Sequence, residues 1–504
     1  MHKIRLSQTL ADTDLTDPNS LERYAIQLEG MTFRDVLDLD IHPASGKEKD
    51  YSNPNYKGGM GNLLEERFFG YNANSDSDAD FAEAGIELKA TCYDLTKKNA
   101  IRAGERLVLT MIPYDRDITE DFNSSHLWEK CQSILLVYYQ RDKSIDKIDQ
   151  TIKHVTMFTP PEEDLQIIKD DYRTIVSLIQ QGRADELSEG MTSYLGACTK
   201  GATAKKSIVP QHYSHIDPST GKIEHRPAKK RAFALKQSYM NYVLNNYVVP
   251  VSQKRNSVES LIHGNLGNRG LKAYLEETIS PYVGMKEEDI CVKLNIPYRP
   301  ENKSHRRVVV QRILNINSDK TSEFQKANIK LKTICFEQGG GLKENISLPG
   351  FKFKELVEED WEDSSLRDQL ENCKFFFVAF RKTDSSDVLI GCKLWNMNVR
   401  DIEQDGKACW EATKKTIREG VQFTLDISKH GNTIVHNNLP GSSDNKVLHV
   451  RPHTSTSAYK LASGYSRGDI AKYGDELPDG QIMTKQSFWF NNTYIAEQLK
   501  DLLA

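Results

Sequence analysis

The chain has 504 residues, more than one hydrophobic core usually supports, so the sequence predicts two domains of roughly 200 to 250 residues. Hydrophobic residues make up 38% and charged residues 27% of the chain, which excludes a disordered or membrane-embedded protein. No apolar run is long enough to span a membrane, no secretory signal is present, and the eight cysteines lack zinc or C-x-x-C spacing. We therefore expect a cytoplasmic protein with reduced thiols, and the net charge of −4 leaves nucleic-acid binding open.

The first predicted elements are a helix over residues 20–39 and, after a polar loop, a short strand with the sequence IELKA at 86–90. Residues i and i+2 of a strand project from the same face. Glu87 and Lys89 are therefore expected side by side, pointing away from the core face of the strand. A turn at Gly85 precedes them.

Two further carboxylates are expected near this strand. Asp80 lies seven residues before Glu87, and Glu65, in GNLLEERFF, is placed on a helix. Hard oxygen ligands hold magnesium, which activates water and offsets charge on a phosphate, while a lysine such as Lys89 can orient the attacking water. The pattern therefore suits phosphodiester hydrolysis. Taken alone, it is weak and is more typical of a surface strand with a Glu/Lys pair.

The sequence also repeats itself. DFAEAGIELKATCYD at 80–94 returns 243 residues later as EFQKANIKLKTICFE at 323–337. SILLVYYQR at 133–141 is echoed by KFFFVAFR at 374–381, and the segment at 191–206 is echoed at 446–461. These echoes predict an internal duplication of one α/β unit, a mixed sheet flanked by helices. We expect the two domains to span 1–250 and 251–504.

Five motifs of the first copy, in order, resemble the MutH-like group of the PD-(D/E)xK nucleases. They are QLEGMTF, KGGMGNLLEERFFG, DFAEAGIELK, SSHLWEK and TSYLGACTK. This group contains the mismatch-repair nicking enzyme MutH and type II restriction enzymes that cut GATC. The resemblance implies a restriction-endonuclease-like fold, Mg²⁺ as cofactor and double-stranded DNA containing GATC as substrate.

The resemblance also implies roles for individual residues of the first copy. Asp80 and Glu87 would bind the metal, and Lys89 would assist the nucleophile. Glu65 would help to hold the metal or its water. Lys130, in SSHLWEK, would be a second active-site lysine near the scissile phosphate.

DNA contacts are implied at two places in the first copy. Lys57 and Gly58 would approach the DNA, and Thr199 and Lys200 would lie on the loop that reads bases. MutH has Arg-Pro where this copy has Cys198 and Thr199. Arginine is the commonest reader of guanine, so this loop must read GATC through other groups.

The second copy differs at its metal ligands. Glu323 stands in for the aspartate, and Lys330 replaces the metal-binding glutamate, so a cation occupies a position where magnesium would need an anion. Lys332 alone keeps the family's residue at its position. We expect this copy to be catalytically silent.

The second copy keeps the family's DNA-reading signature. HVRPH at 449–453 retains the Arg-Pro pair, so Arg451 could contact guanine with Pro452 and His453 beside it. Lys303 matches the position of Lys57. We therefore expect the second copy to bind a second GATC site and to activate the first copy allosterically.

The sequence thus favours a magnesium-dependent type II restriction endonuclease that is monomeric in solution and associates on DNA. Two alternatives stay open at this point. One is a repair enzyme that nicks a single strand, and the other is a GATC-binding regulator without catalysis.

Overall fold

The computed structural model describes residues 6–42, 50–51, 53, 58–71, 79–96, 99–200, 207–249, 258–264, 266–267, 269–431 and 433–503. The chain divides into two compact units. The first unit contains residues 1–271 and 320–328, and the second contains residues 272–319 and 329–504. The functional division predicted at residue 250 stays a prediction.

Both units contain helices and strands. In chain order the helices are α1 (Pro18–Ala25), α2 (Phe33–Asp38), α3 (Gly59–Leu63), α4 (His126–Cys131), α5 (Glu162–Gln180), α6 (Gln237–Val243), α7 (Leu271–Ile279), α8 (Glu287–Lys293), α9 (His305–Ile313), α10 (Ser322–Lys326), α11 (Phe353–Leu356), α12 (Ser365–Asn372), α13 (Val399–Asp401), α14 (Lys407–Glu419), α15 (Ile470–Tyr473) and α16 (Asn492–Gln498). The strands are β1 (Glu87–Leu95), β2 (Ile101–Ala103), β3 (Leu107–Met111), β4 (Ile134–Gln140), β5 (Ile152–Phe158), β6 (Leu195–Thr199), β7 (Ile208–Val209), β8 (His215–Ile216), β9 (Ile223–Glu224), β10 (Ala228–Lys229), β11 (Arg231–Leu235), β12 (Ile329–Phe336), β13 (Ile346–Gly350), β14 (Lys374–Arg381), β15 (Val388–Trp395), β16 (Phe423–Ile427), β17 (Thr433–Asn437), β18 (Leu448–Pro452), β19 (Tyr459–Lys460), β20 (Ser466–Arg467), β21 (Gly474–Glu476), β22 (Ile482–Thr484) and β23 (Gln486–Phe490).

The first unit is built on two principal sheets. One has the order β2-β1-β4-β5, with β1 and β4 parallel and β4 and β5 antiparallel, and the other has the order β3-β11-β6. The first five residues of β4, ILLVY, are all buried, as expected for a strand covered on both faces. Ile86 and Leu88 lie in the hydrophobic core that α1, α2 and α3 share with β1 and β4. This packing fixes the face on which residues 87 and 89 lie.

The second unit repeats this arrangement. Its sheets have the orders β12-β14-β15 and β13-β23-β18, again with a parallel first pair and an antiparallel second pair in the former. Glu87 is paired with Ile134 in the first unit, and Lys330 is paired with Phe375 in the second. The mixed α/β fold and the internal duplication predicted from the sequence are therefore confirmed.

Helix α10 belongs to the first unit although it lies in the second sequence copy. Lys326 forms a buried ion pair with Asp164 at 2.6 Å. Glu323 accepts hydrogen bonds from the Ser260 hydroxyl at 2.6 Å and the Leu261 amide at 2.7 Å. The carboxylate that stands in for Asp80 in the repeat is thus used to hold a chain segment in place. Among the described residues no helix is both long and apolar enough to cross a membrane.

Candidate active site

Glu87 lies at the start of β1 and receives two lysines. The Lys89 ammonium donates to Oε1, and the Lys130 ammonium donates to Oε2 at 2.9 Å. The Glu87 side chain is 3% exposed and that of Lys130 is 8% exposed, whereas that of Lys89 is 23% exposed. Glu87 and Lys89 share a face, as predicted, but the glutamate is buried rather than open because Lys130 on α4 covers it.

The position of Lys130 is set by the local structure of α4. Ser125 caps this helix, and its hydroxyl oxygen accepts a hydrogen bond from the Trp128 amide at 3.2 Å. An N-cap of this kind fixes where a short helix begins and therefore which residues of the next turn face inward. Lys130 and Cys131, in the last turn, are both buried.

Asp80 is returned to β1 by a tight turn. The Phe81 amide donates to the Ile86 carbonyl at 2.9 Å, and Gly85 within the turn has φ of +64°, a left-handed conformation that favours glycine. Oδ2 of Asp80 then accepts from the Leu88 amide at 2.9 Å. Burial, and next the charge of Glu87, raise the pKa of Asp80.

Glu65 lies on a π-helical turn, Leu64–Phe68, that continues α3. Such turns are frequent at functional sites because they shift a side chain out of the regular helical position. Burial, followed by the charge of Asp80, raises the pKa of Glu65 to about 7, while Lys89 opposes the shift. Glu65, Asp80 and Glu87 are thus close enough to repel one another.

The donor set fits a magnesium ion. Carboxylate oxygens are its preferred ligands, and it needs only one or two from the protein because it keeps waters and takes substrate phosphate oxygens. Among the described residues no group of three acidic, histidine or cysteine side chains is arranged to hold a metal. Both oxygens of Glu87 accept hydrogen bonds from lysines. Ligation by Asp80 and Glu87 would require one of these lysine contacts to open.

Tyr71 is a member of the site that the sequence did not indicate. Its amide donates to the Glu65 carbonyl at 3.1 Å, and its ring packs edge-on against Phe81 at 5.4 Å. Its hydroxyl is buried and finds no hydrogen-bond partner among the described residues. Burial, and then the charges of Asp80, Glu65 and Glu87, raise its pKa. No spacing rule would have found it, because it follows the helix in a polar loop.

The predicted DNA-contacting residues of the first unit occupy two places. Gly58 is the left-handed residue, φ +78°, that precedes α3, whereas Lys57 lies outside the described residues. Thr199 ends β6 and is paired with Arg231 of β11, and the Lys200 amide donates to the Lys230 carbonyl at 2.8 Å. Both Thr199 and Lys200 are partly exposed. Among the described residues, the side chains that bond to the Glu87 carboxylate are those of Lys89 and Lys130, and Gly58, Thr199 and Lys200 are not among them.

In the second unit Arg451 and Pro452 end β18, the strand that corresponds to β6. Arg451 is exposed, and its guanidinium lies over the ring of Trp489 at 5.3 Å. His453 contacts the same ring at 5.7 Å, and its Nδ1 lies 3.0 Å from the Ser487 hydroxyl. The structure thus adds Trp489, which sequence reasoning missed, to the predicted reading residues. Arginine and aromatic planes of this kind are common in contacts with nucleic acids.

Two other basic positions of the second unit have different surroundings. Lys303 is exposed in the turn before α9. Arg306 is committed to ion pairs with Glu287 at 3.4 Å and with Asp387. Lys303 is therefore open to solvent, whereas the charge of Arg306 is already balanced.

Comparison with known proteins identifies two matching regions. The model of the family described as "DNA mismatch repair enzyme MutH" matches residues 69–171 and 313–405. The chain is 34% identical to the type II restriction enzyme Sau3AI of Staphylococcus aureus over 87% of this chain and 91% of that protein. It is 27% identical to the DNA mismatch repair protein MutH of Vibrio campbellii over 38% of this chain and 80% of that protein. It is 26% identical to the DNA mismatch repair protein MutH of Haemophilus ducreyi over 38% of this chain and 79% of that protein.

Proposed function

Because the chain belongs to the MutH-like family of type II restriction endonucleases, we propose that it cuts double-stranded DNA at GATC with magnesium. One observation carries the proposal: Glu87 is flanked by Lys89 and Lys130 and lies close to Asp80 and Glu65. A non-catalytic DNA-binding protein would have no need of so many mutually repelling carboxylates in one buried place. GATC as the target is supported by the restriction enzyme that the chain matches along most of its length.

Each residue of the site has a role in this reaction. Asp80 and Glu87 would hold the metal, which when bound lowers the pKa of water and offsets negative charge on the phosphate. Lys89 is more exposed than Glu87 and Lys130, so it is placed to orient the attacking water and to hold a non-bridging phosphate oxygen. Lys130 would keep the Glu87 carboxylate in position and add positive charge. Glu65, with a pKa of about 7, can accept a proton near neutral pH.

The second unit would act as an effector. Lys330 replaces the metal-binding glutamate, while the exposed Arg451, Pro452 and His453 remain at the end of β18. Binding of a second GATC duplex there would then stimulate cleavage by the first unit. Because each chain has one proposed active site, cutting both strands would need either two chains on the palindrome or two nicks in succession. Acting on DNA inside the cell, the protein would work in the cytoplasm as a monomer that associates on its substrate.

The central test is a cleavage assay on unmethylated and adenine-methylated phage DNA, with and without magnesium, followed by sequencing of the new ends. The proposal requires metal-dependent double-strand breaks at GATC. It also requires that Lys89→Ala abolishes cleavage but leaves DNA binding intact. Ends at unrelated sequences, or no cleavage by the wild-type chain with magnesium, would refute it. Breaks in one strand only would favour the repair-type reaction of the MutH relatives.

The effector role is tested with plasmids that carry one or two GATC sites. Faster cutting of the two-site plasmid, and stimulation of the one-site plasmid by an added GATC oligonucleotide, are expected. Equal rates that the oligonucleotide does not change would rule out the effector role and leave the cleavage activity itself unaffected.

A further inference from the structure

The silent copy carries a group of positive charges on the strand that corresponds to the catalytic one. Lys330 and Lys332 of β12 take the positions of Glu87 and Lys89 of β1. They are two residues apart on one strand, so their side chains lie on the same face. Both are partly buried.

Arg307 from α9 adds a third charge to this group. The positive charge of Arg307 helps to lower the pKa of Lys332. The Arg307 guanidinium itself forms an ion pair with Asp319. In the described part of the chain, neither Lys330 nor Lys332 forms an ion pair with a carboxylate. Asp319 thus balances Arg307, whereas the two lysines have no ion-pair partner among the described residues.

This arrangement is unfavourable in the protein alone. Burial, and then the like charges of Lys330 and Arg307, lower the pKa of Lys332. A charge that is partly removed from water is stabilised by a counterion, and these two partly buried lysines have none in the form of an ion pair among the described residues. A chain that had merely lost its metal ligands would be more stable with neutral residues here. The unpaired lysines therefore indicate that an anion completes the group.

We propose that Lys330, Lys332 and Arg307 form a metal-free site for a phosphodiester group of the DNA backbone. The inference rests on the proposed function, since it specifies how the second unit holds its duplex. In the first unit a metal ion and Lys89 would contact the scissile phosphate, and in the second unit the ammonium group of Lys330 would replace the metal. Lysine binds phosphate as a point charge, and each such interaction also releases counterions from the DNA.

The same geometry explains why such a phosphate would be held but not cut. An ammonium group can balance a phosphate charge, but it does not generate a hydroxide near neutral pH as a bound divalent metal does. A cation at the Glu87 position also repels magnesium. The second unit would therefore bind DNA even in a metal chelator, and the scissile bond of its duplex would stay intact.

The first test measures binding of a GATC duplex to the full chain in EDTA, in a Lys89→Ala background to exclude cleavage. The slope of log affinity against log salt concentration falls by about 0.9 for each phosphate that the protein no longer neutralises. We expect Lys330→Gln/Lys332→Gln to lower this slope by about 1, the value for one phosphate, measured between about 50 and 200 mM salt. Lys415→Gln removes an exposed lysine of α14 that pairs only with Glu419, and it should leave the slope unchanged.

A second measurement separates binding from folding. Because the two lysines repel each other, the double glutamine variant should melt at the same temperature as the parent or higher. A lower melting temperature together with an unchanged salt slope would show that the lysines serve the fold, and the proposal would be wrong. A reduced slope at an unchanged or higher melting temperature supports it.

The third test locates the phosphate. A set of GATC duplexes, each with one uncharged methylphosphonate linkage, is bound to the parent and to the double variant. At one linkage, the parent should bind the methylphosphonate duplex more weakly than the unmodified duplex. The double variant should bind these two duplexes equally, since it already lacks the lysines that hold that phosphate. Additive weakening at every linkage would overturn the site. Failure of the parent to prefer GATC over scrambled DNA would instead count against the proposed function, so the two failures are distinguishable.

Discussion

Lys130 and Glu87 form an ion pair that is almost completely buried, with Nζ and Oε2 2.9 Å apart. Removing two charges from water is expensive, and such pairs are often less stabilising than apolar residues of the same shape. Both oxygens of Glu87 are engaged, one by Lys130 and one by Lys89. The arrangement therefore favours a role in the proposed chemistry, in which the two lysines hold the Glu87 carboxylate in place and one lysine contact opens when a metal binds.

Lys130→Met should reduce cleavage at least about 100-fold, the usual effect of losing one group that stabilises developing charge. The free energy of unfolding should fall by less than the about 3–5 kcal/mol typical of a buried charge left without any partner, because Glu87 keeps Lys89. Single-turnover cleavage and urea denaturation measure the two effects. Lys153→Met, at an exposed position of β5, is the control and should match the wild type in both. A variant with full activity would remove Lys130 from the proposed site.

Glu65 gives the metal-free protein a pH-dependent stability. Its pKa is about 7 in the folded chain against an ordinary value of 4.5, so the folded state binds more protons between these values. The free energy of unfolding should therefore fall as pH rises from about 4.5 to about 7, and Glu65 adds no further change above that. Denaturation in EDTA at several pH values should show a smaller fall in Glu65→Gln. An identical fall in both proteins would mean that Glu65 keeps an ordinary pKa.

Much of this site could be predicted from the sequence, and the reasons are local. The i, i+2 rule placed Glu87 and Lys89 on one face, and Gly85 marked the turn that returns Asp80. The burial of Glu87 could not be predicted, because it depends on α4 and on Lys130, 43 residues away. The place of Tyr71 in the site could not be predicted either, because its ring lies near the carboxylates through packing against Phe81.

In the second unit, too, some features could be predicted from the sequence and others could not. Its repeat of the strand order followed from the echoed segments, and the register confirms the correspondence of Lys330 with Glu87. The use of Glu323 and Lys326 to form interactions within the first unit was not foreseeable, since the sequence repeat assigns them to the other copy. Trp489 is likewise brought beside Arg451 only by the pairing of β18 with β23.

Tyr71→Phe removes a buried hydroxyl that has no hydrogen-bond partner among the described residues and keeps the ring that packs on Phe81. An unsatisfied buried hydroxyl costs free energy, so the free energy of unfolding should be unchanged or higher by up to about 1 kcal/mol. Tyr71→Ala also loses the partly buried ring and should be destabilised by up to about 3 kcal/mol, the lower end of the cost for fully buried aromatic residues. Urea denaturation of the three proteins distinguishes these cases. A phenylalanine variant less stable than the wild type would show that the hydroxyl has a partner.

Arg451→Ala tests the DNA-reading role proposed for the second unit. Arg451 is exposed and lies over Trp489, so its removal should leave the fold and the basal cleavage of a one-site plasmid unchanged. Stimulation by an added GATC oligonucleotide should require about 5- to 150-fold more oligonucleotide, since a specific base contact is worth about 1–3 kcal/mol. Cleavage rates across an oligonucleotide titration measure the shift.

Arg451→Lys keeps the charge but not the two-pronged geometry, so it should recover only part of the response. Full recovery by lysine would mean that Arg451 contacts phosphate rather than a base, and an unshifted titration for Arg451→Ala would remove it from the effector site.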